Sequence, residues 1–380
     1  MSHQSRAEKT AEYSTGRHSR VLRGLAEVLR ESGYGEYYSS FNPLVQQPVR
    51  WHACLMSAPP RLRSLLRLLL LAEAVPRGDV EPAIGELVPH LIEMGLLLEL
   101  DEGRLKTPNL CLLPVIGNWL FCQRPMPNPT LYFGDDSVAL LLRLRPRHGG
   151  ACLDLCAGPG VQSLHCGRIA GTVDSVEINP VAAMLASINS VMNGLEERVT
   201  VRCGSLFEPV KGRSFDTIVA NPPLLPFPSG IDYPFVGHGG DDGMRVTRAI
   251  LDGLPPALAP GGTAQIIGTS LEVQGAPEIV PELRGWAATH GMDVLLTLVS
   301  RRPLRRGSVF FEGLVATSAA CFEPGADTSK IAEALEGLLE LRGASHLASW
   351  FLHVKRGDGS LDVMDLTQSQ QSNGWYVDTT

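Results

Sequence analysis

Four short segments carry residues able to grip a polar ligand, and each follows a strand-like run. In ACLDLCAGPGVQSL the run ends near Asp154 and turns through Cys156, Gly158, Pro159 and Gly160 into a helical segment, so a nearly bare backbone can approach a ligand at a strand's carboxyl end. The turn is not a dinucleotide fingerprint, because Cys156 stands where GxGxxG needs its first glycine, and GxxxxGK[ST] is absent. Twenty-three residues after Asp154, VDSVEI ends on Glu177 and leads into Ile178-Asn179-Pro180. A carboxylate at that distance can accept hydrogen bonds from the ribose hydroxyls of an adenosine-containing cofactor. The third run leads into CGSLFEP and the fourth, FDTIVANPPLLPFP, ends on Asn221-Pro222-Pro223-Leu224. One sheet edge receiving four special segments is a far stronger signal than any of them alone.

Strands must deliver these segments, and the pattern supplies them: Ala151 to Leu155, Thr172 to Glu177, Val199 to Arg202, Asp216 to Ala220, Thr263 to Gly268, Met292 to Val299 and Val309 to Cys321, the first five separated by helical stretches. Such alternation predicts an α/β fold with a mostly parallel sheet covered on both faces. A helix near Ser329 to Leu341 and a hairpin, SWFLHVKR then GDGS then LDVMDLT, follow, and the last dozen residues read as a frayed tail. Ahead of the proline-rich joint 125–129, Val21, Leu22, Leu25, Val28 and Leu29 recur at helical spacing, and from Arg61 to Arg124 short helices give way to a hairpin with a DEG turn. That order resembles a winged helix. Its second helix, about Glu86 to Leu97, offers Glu86, His90 and Glu93 but no Arg or Lys, so a scaffold, dimerisation or lid role is expected rather than a grip on a polyanion. The expected boundaries are 1–124, 130–325 and 326–380.

Bulk properties agree. The 380 residues are 44% hydrophobic and 19% charged with a net charge of −7, which excludes a highly charged disordered chain and gives no global pull on nucleic acid. The longest apolar stretch, Leu65 to Val75, is interrupted by Arg67 and Glu73 and is too short to span a bilayer. The N-terminus has no secretory pattern, and the eight cysteines read as reduced, which together predict a cytoplasmic protein. Cys152, Cys156 and Cys166 lack zinc spacing, so no metal is expected.

Taken together, LDLCAGPG, SVEINP, GSLFEP and ANPPL resemble the class I S-adenosylmethionine-dependent methyltransferases, in the small-domain branch of the release-factor glutamine and rRNA N-methyltransferases. The resemblance covers Leu131 to Thr269 closely. It implies a Rossmann-like, seven-stranded sheet with helices on both faces and S-adenosylmethionine as cofactor. It implies cofactor contacts from Asp154, Cys156, Gly158, Gly160, Glu177, Ile178, Ser205, Leu206 and Asn221, and catalysis by Asn221 with Pro222. Pro223, Leu224, Tyr233 and His238 fall on the acceptor side, the last two on a glycine-rich loop, 229–244, that reads as a substrate lid. Two positions depart from the branch: Ser205 replaces its usual Asp, and Leu224 its usual aromatic ring. Without that ring a planar base loses its stacking surface, so the implied acceptor is a nitrogen of a small molecule or protein side chain. The alternatives are a nucleic-acid acceptor, which is disfavoured, and cyclisation of the cofactor's own aminobutyrate arm. A homodimer is compatible with either reading, and a membrane is not expected.

Overall fold

Side chains alternating between two hydrophobic cores build the central sheet. The computed structural model describes residues 16–42, 46–126, 128–321 and 327–367; the expected frayed tail lies outside them. In chain order the strands are β1 (Val75–Pro76), β2 (Leu98–Leu100), β3 (Arg104–Lys106), β4 (Leu110–Val115), β5 (Asn118–Gln123), β6 (Ala151–Leu155), β7 (Thr172–Glu177), β8 (Val199–Cys203), β9 (Phe215–Ala220), β10 (Leu258–Val273), β11 (Ala276–Pro277), β12 (Met292–Pro303), β13 (Ala344–Arg356) and β14 (Leu361–Asp365). The main sheet runs β14-β12-β13-β10-β9-β6-β7-β8, with β11 attached to β10. From β8 to β10 every pairing is parallel. On β6, Cys152 enters one core while Leu153 and Leu155 enter the other; on β9, Val219 opposes Ile218 and Ala220 in the same way. The order reverses between β6 and β9, which opens a crevice at their carboxyl ends.

The sheet is larger than the seven strands expected, and two expectations need correction. Val309–Ala320 is a helix, not a strand: Ser308 caps it by accepting a hydrogen bond from the Phe311 amide, and Phe311, Leu314, Val315 and Ser318 are buried at helical spacing. Aromatic and β-branched residues had suggested a strand there, and tertiary packing overrides that propensity. The hairpin expected near the C-terminus also does not form. β13, with every residue from Leu347 to Leu352 buried, is an interior strand antiparallel to both β10 and β12, and β14 pairs parallel to β12. Asp293 at the start of β12 accepts hydrogen bonds from the Asp358 and Ser360 amides, so the GDGS turn is tied to β12.

Ahead of the sheet, the helix Arg17–Glu31 buries Val21, Leu22, Leu25, Ala26 and Leu29 but not Val28. A three-stranded antiparallel sheet, β1-β3-β2, and the hairpin β4–β5 follow, the hairpin turning on Ile116 and Gly117, both at positive φ. The expected second helix is shorter than predicted, Val88–Glu93. One continuous hydrophobic cluster contains Leu22, Leu66, Leu112 and Phe121 of this front region together with Leu164, Ile188, Val219 and Phe351 of the sheet region. Two buried asparagines seal the join. Asn189 accepts a hydrogen bond from the Phe121 amide (2.8 Å) and donates to the carbonyls of Phe121 (2.9 Å) and Pro159 (2.8 Å). Asn193 accepts from the Trp119 amide (2.8 Å) and donates to the Trp119 carbonyl (2.7 Å). Four residues of helix rise roughly 6 Å and two residues of strand roughly 6.6 Å, so the helix Pro180–Met192 and the residue just beyond it match the strand's repeat and act as its missing neighbour.

Candidate active site

A cavity of about 330 Å³ opens at the carboxyl ends of β6, β7 and β9. Its floor is the glycine turn. Cys156 adopts φ 57°, a left-handed conformation that a non-glycine residue holds at a cost of roughly 1–2 kcal/mol. A Cβ built on Gly158 would meet only the Tyr132 carbonyl, at 3.7 Å, so a larger side chain there would grow into the cavity. Gly160 stands behind the wall: its φ is 90°, and a Cβ would press on Ala186 at 3.1 Å. Its absence of a side chain lets the turn pack on the next helix.

Glu177 lines the cavity at the end of β7. Its carboxylate accepts hydrogen bonds from the amides of Gly158 (2.8 Å) and Asn179 (2.7 Å), which ties the glycine turn to the turn after β7. Burial pushes its pKa up while these backbone donors pull it down, and the net direction is upward. Asp154 does not reach the cavity. It is buried beneath the turn, 1% exposed, where Ser163 donates to it at 2.5 Å and bonds Ser175 at 2.7 Å. Burial raises its pKa to about 7.

Asn221 forms the opposite wall. Its Nδ2 donates to Asp136 Oδ2 (3.1 Å) and Ser137 Oγ (3.3 Å), and its Oδ1 is buried with no hydrogen-bond partner. A buried amide oxygen without a partner costs roughly 1–3 kcal/mol, so the site keeps an unspent acceptor beside the cavity. Pro223 lines the wall too, whereas Pro222 is buried behind it. Leu224 points into the hydrophobic core, and its carbonyl accepts a hydrogen bond from the Thr269 hydroxyl.

The family model for the methyltransferase small domain matches residues 133–272. A Methanocaldococcus jannaschii protein assigned as a protein N5-glutamine methyltransferase is 32% identical over 157 residues, which cover 40% of this chain and 76% of that one. The chain belongs to the methyltransferase small-domain family. It is also 35% identical over 165 residues to the ribosomal protein uL3 glutamine methyltransferase of Bradyrhizobium diazoefficiens, covering 40% of this chain and 50% of that one. To the release factor glutamine methyltransferase of Geobacter sulfurreducens it is 36% identical over 129 residues, 31% of this chain and 45% of that one. The chain thus spans about half the length of these two curated relatives.

Of the positions that the family resemblance singled out, Cys156, Gly158, Glu177, Ile178, Ser205, Leu206, Asn221 and Pro223 line the cavity; Asp154, Gly160, Pro222, Leu224, Tyr233 and His238 do not. Tyr233 packs its ring on Phe227 at 4.5 Å. His238 accepts the Gly240 amide on Nδ1, and burial and the nearby Arg245 cation lower its pKa, so it is a neutral loop fastener. The loop itself is closely bonded, with backbone hydrogen bonds joining Leu225 to Gly237 and Gly239 and Phe227 to Gly240. From it Phe235, 60% exposed, and Val236 reach the cavity, joined by Arg245 at the start of the helix that follows. Phe235, Tyr132 and Ser137 also line the cavity, with no motif in the sequence to mark them. No periodicity in the loop distinguishes Phe235 from Tyr233, and LYFGDDS shows its use only once Asp136 is seen beside Asn221.

The donor set fits S-adenosylmethionine: a glycine turn open to the cavity, a carboxylate at the second strand end and an unpaired amide oxygen on the facing wall. Among the described residues no helix is long and apolar enough to cross a membrane.

Proposed function

We propose that this chain transfers a methyl group from S-adenosylmethionine to the side-chain amide nitrogen of a glutamine in a protein. The observation that carries the reading is Asn221: its Nδ2 is committed to Asp136 and Ser137, and its Oδ1 stands without a partner beside the cavity. An acceptor-only oxygen selects a ligand that donates, and a primary amide offers two N–H donors. The relatives named for glutamine methylation of uL3 and of a release factor give the acceptor class.

When bound, S-adenosylmethionine supplies a methyl group already activated on a sulfonium. The chain's own task is alignment. Gly158 and Glu177 would hold the cofactor, with Cys156, Ile178, Ser205 and Leu206 completing the lining. Asn221 Oδ1 would accept a hydrogen bond from the amide nitrogen and so aim it along the transfer line, and the nitrogen would release one proton to solvent as it gains the methyl group. Phe235 offers the acceptor the exposed ring that position 224 does not. Pro223 completes that side.

The test incubates the protein with methyl-labelled S-adenosylmethionine and purified uL3 or release factor, followed by peptide mass spectrometry. Methylglutamine with stoichiometric S-adenosylhomocysteine is the expected product pair. Label in RNA alone, or methylthioadenosine without an acceptor, overturns the reading.

A further inference from the structure

Asp136 stands in the first turn of the helix Asp135–Arg143 and is buried, although no opposite charge among the described residues pairs with it. Its two oxygens have separate partners. Oδ1 accepts from the Tyr132 hydroxyl at 2.8 Å, and Oδ2 accepts from Asn221 Nδ2 at 3.1 Å. The chain clears a path for the first of these bonds. A Cβ on Gly134 would collide with the Tyr132 hydroxyl, so only glycine lets the phenol fold back onto Asp136.

A carboxamide can sit in its slot two ways round, exchanging oxygen for nitrogen with little change of shape. A carboxylate only accepts, so it admits the nitrogen and turns the oxygen away. We propose that Asp136 is a positioning residue, which fixes the Asn221 carboxamide with Oδ1 as the free acceptor for the substrate's amide N–H, while Tyr132 holds the carboxylate in place. Were Asn221 reversed, Nδ2 would meet the N–H donors of the acceptor, and two donors would face each other. Burying an ion without a countercharge is costly, which a purely structural position would avoid with a neutral residue. Burial indeed raises the Asp136 pKa, with the Asn221 and Tyr132 bonds pulling against that shift.

This inference rests on the glutamine reading for its catalytic consequence, but the orientation of Asn221 can be observed without any acceptor. In ¹⁵N-labelled protein the Asn221 side-chain NH₂ signals, identified by their loss in Asn221→Ala, should lie well downfield, as expected of a bond to a carboxylate. Asp136→Asn should return them towards free-amide positions. Tyr132→Phe removes the competing donor and should move them further downfield, which keeps the test available if the Asp136 variant does not fold. With uL3 or release factor as acceptor, Asp136→Asn should lower kcat ten- to hundredfold, change the dissociation constant for S-adenosylhomocysteine less than twofold, and add nothing in the Asn221→Ala background. Unchanged signals in both variants, or full additivity with Asn221→Ala, overturn the proposal. If neither protein is methylated by wild type, the glutamine reading fails while the NMR result still decides the role of Asp136.

Discussion

Asn189 and Asn221 are both held inside the protein, and they are used in opposite ways. Asn189 completes three hydrogen bonds to the backbone of β5 and the glycine turn, leaving no polar atom idle. Asn221 completes two through its nitrogen and leaves its oxygen bare. What separates the two is the combination of a place on the cavity wall and an oxygen without a protein partner, which Asn221 has and Asn189 lacks.

The sharpest way to break that comparison is Asn189→Ala. It strands the Phe121 amide and carbonyl and the Pro159 carbonyl, so unfolding stability should fall by about 3 kcal/mol. Chemical denaturation measures this, and a loss below about 1 kcal/mol would show that water replaces the side chain freely. Asn221→Ala should act mainly on rate, cutting kcat about a hundredfold, equivalent to about 2.7 kcal/mol of barrier, with cofactor affinity nearly unchanged and a smaller loss of stability than Asn189→Ala, since only the bonds to Asp136 and Ser137 go. A variant at the wild-type rate would reduce Asn221 to a turn residue. Glu177→Ala comes next. Losing the carboxylate frees the Gly158 and Asn179 amides and, on the proposed binding mode, removes the acceptor for the ribose hydroxyls, so calorimetry should record at least tenfold weaker S-adenosylmethionine binding.

Asp154 gives the smallest effect and a test by pH. Its folded-state pKa near 7 lies above the ordinary carboxylate value, so the native protein holds a proton that the unfolded chain has released. That contribution to stability is complete below about pH 4 and is lost as pH rises through 7. Asp154→Asn cannot lose it, so the difference in melting temperature between wild type and variant should drift in the variant's favour from pH 4 to 8. A constant difference would mean that Asp154 is ionised in the fold at all these pH values, and satisfied there by Ser163.

Much of this was legible in the chain. The strands β6, β7 and β9 and the turns after them follow from alternating apolar runs ending in glycine, Glu177 and Asn221, because strand periodicity and turn chemistry are local. What stayed hidden depends on distant partners. Asp154 reads as a ligand by its position after a strand, yet its hydroxyl partner Ser163 turns it inward. Leu224 reads as a missing aromatic, whereas the structure gives it to the core, so a larger ring at that position would overpack it at a cost of roughly 1–3 kcal/mol. The interior placement of β13 and the asparagine seal on β5 require knowing which strand comes alongside. A single sequence does not contain that information locally.

The seal between the front region and the helix Pro180–Met192 also bears on how the protein is made. Arg23 in the first described helix pairs with Glu196, 173 residues further along, and the apolar face of that helix joins the same cluster as Ile188 and Val191. Contacts so distant in sequence make folding slow to begin, because a long loop must close before burial repays it. At translation speeds of about 5–20 residues per second, the first helix waits roughly 9–35 s for its partner to be synthesised. During that interval Leu22, Leu25 and Leu29 can pack only on the front region's own apolar residues, such as Leu66 and Leu112, so the part of that core completed by Ile188 and Val191 stays open until their helix is made.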